Sequence, residues 1–515
     1  MKKTKKTRIK RRYPKIDIPR EQQSDNNTYE VKMNEYFLKK ADENLPEIKR
    51  TCVTTDTPLT ILDKGDSLTV DLGNHYVGYL SFKMWFVGEY IDAPVTLRVR
   101  FFETKGEMDY DYSSYSGWLC GSWIQEDTVK IDFPGIYRLS RRYAARYVRV
   151  EVVHTPRRLS LSDFVFEAET SADASRLTPY KNGDSELEAI DRVAVNTLKN
   201  CMQRVFEDGP KRDRRLWIGD LRLEALANYY TFRDTALVKR CLYLFAAADR
   251  NSLGFLPAFV YENPIYFPGE WHIVDYSMMY VNTLCDYYKH IADRETFDEL
   301  YPLAKSLMEA ANACLDADGI LTVPKEDMFI DWCEGLEKVA AHFGVYLYTL
   351  ENLSSTLELI GSADAALFLE RLKKGRVDAR KVLYNNETGR FINERDNGQY
   401  SVHASAWMVL GGVVEGDEAR RVMLDVISSR ESVKPFTPYM HHYTVEALFK
   451  AELIDEAIAY IRRIWGGMVS LGTDTFFEAY VPGDPTFSPY DDNKVNSMCH
   501  AWSCTPTYFL RKYEI

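Results

Sequence analysis

The spacing of the apolar residues changes once along the chain, and that change limits the folds open to it. From about residue 60 to 168 the period is two. Val95, Leu97, Val99 and Phe101 alternate with Thr96, Arg98 and Arg100, and Leu80, Phe82, Met84 and Phe86 with Ser81 and Lys83. Val148, Val150 and Val152 alternate with Arg149 and Glu151. Alternation with one polar face marks half-buried antiparallel strands, and several such strands at short spacing predict a β-sandwich. From 184 onward the period is helical. Asp184 or Ser185 can cap a helix carrying Leu187, Ile190, Ala194, Leu198 and Cys201 at steps of three and four. Similar stripes continue to residue 512 and amount to about twelve helices with mostly short connections. Helix pairs without a fixed sequence repeat are compatible with a closed toroid of the (α/α)6 kind, but an open bundle or a diverged solenoid leaves the same stripes. Residues 169–183 are poor in apolar side chains and end in the turn pair Asn182-Gly183. The expected order is a basic arm and N-terminal segment (1–59), a β-sandwich (60–168), a linker (169–183) and an all-α domain (184–515).

Composition narrows the class. The 515 residues are 45% hydrophobic, 27% charged and 13% aromatic, which excludes disordered and fibrous chains. The longest uncharged apolar run, 404–414, is about half of the ~20 residues that a membrane-spanning helix needs. Residues 1–20 carry ten Lys or Arg and one Asp, so with a total of −11 the remainder sums to −20. That basic run fits a solvated tail better than a nucleic-acid site, because the acidic body behind it repels phosphate. No apolar stretch follows it as a secretory signal requires. The nine cysteines are odd in number and form no Cys-x-x-Cys, which points to reduced thiols and a cytoplasmic location. The nine histidines form no His-Glu-x-x-His, so neither metal nor cofactor is expected.

The densest chemistry lies in Asp208-Gly-Pro-Lys-Arg-Asp213-Arg-Arg-Leu-Trp217-Ile-Gly-Asp220, which joins one helix to the next. Gly209-Pro210 stops the first helix, and Gly219 permits close approach by backbone or ligand. Three carboxylates, three arginines and a Trp crowd this connection. Carboxylates and guanidiniums bond sugar hydroxyls in pairs, and aromatic faces cover sugar ring C–H groups. A surface loop laced with Arg–Asp pairs accounts for the same residues. Trp217 between the charges, with Gly-Asp after it, brings the two readings level.

Asp-x4-acid-x6-Asp ending in Trp-x-Gly-Asp resembles the signature of the α-L-rhamnosidases of glycoside hydrolase family 78, which place a β-sandwich before an (α/α)6 barrel. Three further stretches resemble the family in the same order: Asp71-Leu-Gly-Asn-His-Tyr-Val-Gly78 with Arg146-Tyr-Val-Arg-Val150, Gly472-Thr-Asp-Thr-Phe-Phe-Glu478, and Cys499-His-Ala-Trp-Ser503. Together they cover about residues 65–515. The resemblance implies an inverting glycosidase for terminal α-L-rhamnosyl or related residues. Asp213 aligns with the general acid and Glu478 with the general base. Asp208, Arg212 and Asp220 fall at sugar-binding positions, Trp217 at an aromatic wall and His500 at a hydroxyl-binding histidine. The family pattern has Glu at the acid position. Asp213 is one methylene shorter, which sets the proton donor about 1 Å back, a displacement on the scale that costs ~100-fold. An inward loop, donation through water, Asp220 as the acid, or weak activity all remain open. Phe477 stands where the family has Trp.

Four residues near the starts of later helices are further candidates: Trp271 and Asp275 after Pro268-Gly269-Glu270, and Asp331 and Trp332. Each is read as lining a sugar site at one end of the barrel, set against a helix-start acid or a packed Trp. His441-His442 fits a capping or core role, and Met108-Asp-Tyr-Asp-Tyr112 a solvated hairpin tip. The partner is a carbohydrate, with no nucleic acid or membrane, and the oligomeric state is open. A lyase or disaccharide phosphorylase on the same scaffold, or an inactive sugar-binding homologue, is the alternative.

Overall fold

The computed structural model describes residues 33–88, 93–263 and 265–515, so the basic run at 1–20 lies outside the described residues. Eight strands form one antiparallel sheet: β1 (Lys49–Thr54), β2 (Thr60–Leu62), β3 (Ser67–Phe86), β4 (Val95–Phe102), β5 (Glu126–Ile131), β6 (Gly135–Arg138), β7 (Tyr143–His154) and β8 (Leu159–Thr170). The main order is β1-β8-β3-β7-β4-β5, with β2 on β8 and β6 on β3. The 20-residue β3 makes the sandwich. Its first half pairs with β7 and its second half with β8, so one strand belongs to both layers. Alternating side chains from both layers, among them Val70, Leu80, Phe82, Val99, Val150 and Phe166, share one core. The sheet starts before residue 60, because β1 pairs with β8 from Lys49↔Thr170 to Thr54↔Val165.

The helical part is a ring of six hairpins. Its inner helices are α3 (Ile218–Tyr230), α5 (Val274–Ile291), α7 (Val339–Leu359), α9 (Val402–Leu410), α11 (Pro438–Lys450) and α14 (Pro506–Lys512). Successive helices from α3 to α11 pack on each other, α11 meets α14 through Phe449 against Phe509, and α14 with the turn 501–503 returns to α3. Outside them lie α2 (Ser185–Cys201), α4 (Thr235–Ala246), α6 (Arg294–Ala313), α8 (Ala365–Leu383), α10 (Gly416–Ser428) and α12 (Ile454–Ile461), while α1 (Glu35–Asp42) precedes the sheet and the short α13 (Gly467–Ser470) follows α12. Burial explains the division. Every residue of α9 is buried, whereas α10 buries only Ala419, Val422, Met423 and Val426, the stripe of a one-faced helix. Asp184 caps α2 by accepting from the backbone of Glu186 and Leu187 at 3.0 and 3.1 Å. Of the expected linker 169–183, residues 169 and 170 end β8, and Ser171 N–H donates to Met202 O over 2.8 Å.

The connection 103–125 departs from the expected solvated hairpin tip. It folds into short 3-10 turns that lie against the helical domain, where Asn493 Nδ2 donates to Tyr110 Oη over 3.3 Å and Asp492 Oδ2 accepts from Ser116 N–H over 3.0 Å. Tyr110 is half-buried against this second domain and Tyr112 against Phe102 of β4, contacts that strand periodicity does not reveal.

Candidate active site

Connections leading into the inner helices meet at one end of the ring. Those that line the space there lead into α3, α5, α7 and α14, and helix N-termini favour carboxylates. There a cavity of about 260 Å³ is lined by Asp208, Arg212, Asp213, Trp217, Asp220, Trp271, Trp332, Glu478 and His500. These are nine of the twelve residues singled out from the sequence.

The acid-rich loop is shaped by Asp208. Its carboxylate accepts the backbone N–H of Asp213 at 3.1 Å and of Arg215 at 3.0 Å, which folds the chain between them into a tight turn. The Arg212–Asp213 peptide is cis. A Cβ on Gly219 would stand 2.5 Å from the Tyr276 ring, so only glycine lets that ring close the floor beside Asp220.

The guanidiniums that the sequence left undirected point three ways. Arg212 donates to Glu478 Oε2, and its guanidinium lies 4.3 Å over the ring of Tyr490, whose hydroxyl donates to Glu478 Oε1. Arg214 turns away, donating to the carbonyls of Pro210 and Arg142 at 2.8 Å each. Arg215 lies over Phe259 and Tyr261, with Nη1 3.4 Å from Asp213 Oδ2. Arg212 Nη1 is 3.7 Å from Asp213 Oδ1. Asp213 and Glu478 thus flank one guanidinium.

Burial sets the protonation states. It pushes the Asp208 carboxyl up to about 8, helped by the charge of Asp213. Burial also holds Asp220 well above the carboxylate range, with Asp208 and Glu478 adding to it. Glu478 is raised by burial as well, against the opposing pull of Arg212. His500 is driven well below its usual value by burial and by Arg212, so its ring is neutral. The cavity floor thus sets carboxyls raised by burial and a neutral imidazole around the Arg212 guanidinium. His500 Nδ1 lies 3.6 Å from Asp220 Oδ1 and Nε2 lies 3.9 Å from Glu478 Oε1, beyond hydrogen-bond reach. Asp220 Oδ1, His500 Nδ1 and the Trp332 indole N–H are buried without a protein partner. Buried polar atoms are nearly always satisfied, so these three await a ligand's hydroxyls or water.

Aromatic rings enclose this floor. Trp118, Tyr490, Trp332, Phe329, Tyr276, Trp217 and Trp271 follow one another with ring centroids 5.4–6.4 Å apart. Such a belt can cover the apolar faces of a sugar while the floor bonds its hydroxyls.

Three candidates stand outside the walls. Asp275 accepts the N–H groups of Phe329 and Ile330 at 3.0 and 3.2 Å. Asp331 accepts from Thr437 Oγ1, from the N–H groups of Trp332, Phe436 and Thr437, and contacts His403 Nε2 at 2.7 Å. Both carboxylates are spent on holding the loop that presents Phe329 and Trp332. Phe477 is 5% exposed and packs beside Tyr480 in the core, whereas Glu478 faces the cavity. His441 and His442 lie buried within α11.

Sequence reasoning missed Tyr490, Trp118 and Trp123. Tyr490 sits in irregular chain twelve residues past Glu478, with no periodicity to mark it. The two tryptophans carried a signal, since Gly117-Trp-Leu-Cys-Gly-Ser-Trp123 places large rings in a small-residue loop. Among the described residues no group of three His, Cys, Asp or Glu is arranged to hold a metal ion.

Comparison with known proteins agrees with this architecture. The profile of the glycosyl hydrolase family 78 α-rhamnosidase N-terminal domain matches residues 42–168. That of the bacterial α-L-rhamnosidase six-hairpin glycosidase domain matches residues 179–513. The chain belongs to the family 78 α-L-rhamnosidases. This glycosidase is similar to the rhamnosidase from Klebsiella oxytoca with rhamnose bound, at 37% identity and a TM-score of 0.89 over 93% of this chain and 99% of that one. The family 78 rhamnosidase of Bacillus sp. GL1 shares the fold at 22% identity and a TM-score of 0.75, over 88% of this chain and 47% of that one. The Streptomyces avermitilis α-L-rhamnosidase complexed with L-rhamnose does so at 16% identity and 0.69, over 90% and 44%. The glycosidase thus spans under half of these last two chains. No curated protein matches it.

Proposed function

We propose that this glycosidase removes terminal α-L-rhamnosyl residues with inversion, Asp213 acting as the general acid and Glu478 as the general base. The observation that carries the reading is the pair of carboxyl groups flanking the Arg212 guanidinium. Two groups on either side of one planar cation stand no farther apart than its width plus two contacts. That is of the order of the roughly 6.5–9.5 Å that leaves room for water in inverting glycosidases. Burial raises the Glu478 carboxyl toward the working pH and so strengthens it as a base, while Arg212 keeps it from staying protonated.

In this reading the sugar lies on the floor. Asp220 and His500 bond its hydroxyls through the atoms that lack protein partners, and Trp217 and Trp332 cover its ring. Asp213 protonates the leaving oxygen as Glu478 takes a proton from water on the opposite ring face. The resemblance to a rhamnosidase that holds rhamnose supports this sugar. Nine unpaired cysteines, six of them buried, support a reducing compartment.

The test is the anomeric form of the first product. Hydrolysis of p-nitrophenyl α-L-rhamnoside followed by NMR is expected to release β-L-rhamnose. Initial release of the α form means retention and removes the roles given to Asp213 and Glu478.

A further inference from the structure

The leaving group needs a site of its own, and the cavity changes character toward its mouth. Asp208, Arg212, Asp220, Glu478 and His500 on the floor are at most 4% exposed, whereas Trp271 is 39% and Trp118 59% exposed. The floor is polar and buried, and the rim is aromatic and open. Part of the rim is not on the helical domain at all. Trp118, Leu119 and Trp123 come from the sheet-domain connection that packs across the 481–495 chain.

That connection is held in place before any ligand arrives. Ser116 N–H donates to Asp492 Oδ2 at 3.0 Å, Trp118 N–H to Tyr490 O at 3.4 Å, and Tyr115 Oη to Leu119 O at 2.8 Å. The rim offers few polar partners. The Trp118 indole N–H is spent on Pro489 O at 3.3 Å and that of Trp271 on Glu326 O at 3.2 Å. The rings keep their π-faces and edges. A flat apolar group stacked on these exposed rings buries its whole face against them, whereas a second sugar offers only its C–H face and gains no hydrogen bond from the two indoles.

We propose that the sheet-domain residues Trp118 and Trp123 form the leaving-group subsite and select a flat, apolar aglycone, such as an aryl or fused aromatic ring, over a second sugar. The inference rests on the rhamnosidase reading and assigns to the sheet domain a share in substrate choice. Rim contacts of this kind act on kcat/KM for substrates large enough to reach them.

The experiment compares 4-methylumbelliferyl α-L-rhamnoside with methyl α-L-rhamnoside on the full chain, wild type against Trp118→Ala. Intrinsic leaving-group reactivity cancels when each substrate is compared with itself. The aryl-to-methyl ratio of kcat/KM is expected to fall about tenfold in Trp118→Ala and to stay within about threefold in Trp118→Phe, which keeps a flat face. An unchanged ratio, or an equal fall for both substrates, overturns the subsite while leaving the hydrolase standing. A wild type that turns over neither rhamnoside overturns the hydrolase reading and the subsite with it.

Discussion

Lys211 Nζ of the helical domain donates to Glu107 Oε1 of the sheet domain over 2.7 Å, and both side chains are at most 2% exposed. The same ammonium donates to Asn496 O at 2.9 Å and lies 3.7 Å from Glu103 Oε2, which accepts the N–H of Met498 at 2.7 Å. The sheet domain therefore grips the acid-bearing loop beside Arg212 and the chain leading to His500. Breaking one side of a buried pair leaves an uncompensated charge, so Glu107→Gln is expected to lower unfolding free energy by about 3 kcal/mol. Urea denaturation measures it. The Glu107→Leu, Lys211→Met double variant is expected to recover stability but not kcat, because the loop is then no longer aimed. Full recovery of both means that the pair only holds the domains together.

Glu478 is bonded by Arg212 and Tyr490 and faces the cavity. Glu478→Gln keeps the shape and removes the base. Turnover of p-nitrophenyl α-L-rhamnoside is expected to fall by about 1,000-fold, within the usual range for loss of a general base. Rhamnose affinity measured by calorimetry is expected to stay within about threefold, since the floor atoms that await hydroxyls belong to Asp220 and His500. Unchanged turnover places the base elsewhere.

Losing a general acid hurts most when the leaving group is poor. Asp213→Ala is therefore expected to cost on the order of 1,000-fold with methyl α-L-rhamnoside and far less with the p-nitrophenyl substrate. Asp213→Glu tests the missing methylene. The turn closed by Asp208 holds the backbone, and Arg215 at 3.4 Å gives a longer side chain a partner. Activity within about tenfold of wild type is expected. A loss equal to that of Asp213→Ala means that the turn is built for the shorter acid.

The order of domains and the helix pairs were legible because each rests on local repetition. Leu80-Phe82-Met84 and Leu187-Ile190-Ala194 are buried as their periods require. Closure of the ring was not legible, since the return of 501–503 to α3 is a contact between distant segments with no local sign. The loop 208–220 was legible because Trp217 and Gly219-Asp220 stand among its charges and resemble a family signature, whereas the charges alone fit a solvated turn. Asp275 and Asp331 show the limit of that reasoning. An acid at a helix start reads alike whether it bonds a sugar or, as here, backbone N–H groups of a neighbouring loop. Tyr490 reaches the cavity from irregular chain of the helical domain, and Trp118 only through the packing of the sheet domain on it.

Glu224 lies one helical turn beyond Asp220 on α3, fully buried, with neither carboxylate oxygen hydrogen-bonded by protein. Burial raises its pKa well above the usual value, and the charges of Asp220 and Asp208 raise it further. A carboxyl raised on folding binds more protons folded than unfolded. Its contribution is fully present below the ordinary carboxylate range and is lost as pH rises toward the folded pKa. Glu224→Met fills the same space without a charge to bury. Its melting temperature relative to wild type is expected to increase steadily from pH 5 to pH 8 in calorimetric scans, with the gain largest at the alkaline end. A difference that does not vary with pH over that range means that Glu224 has the same protonation in both states and that a polar partner stabilises its charge.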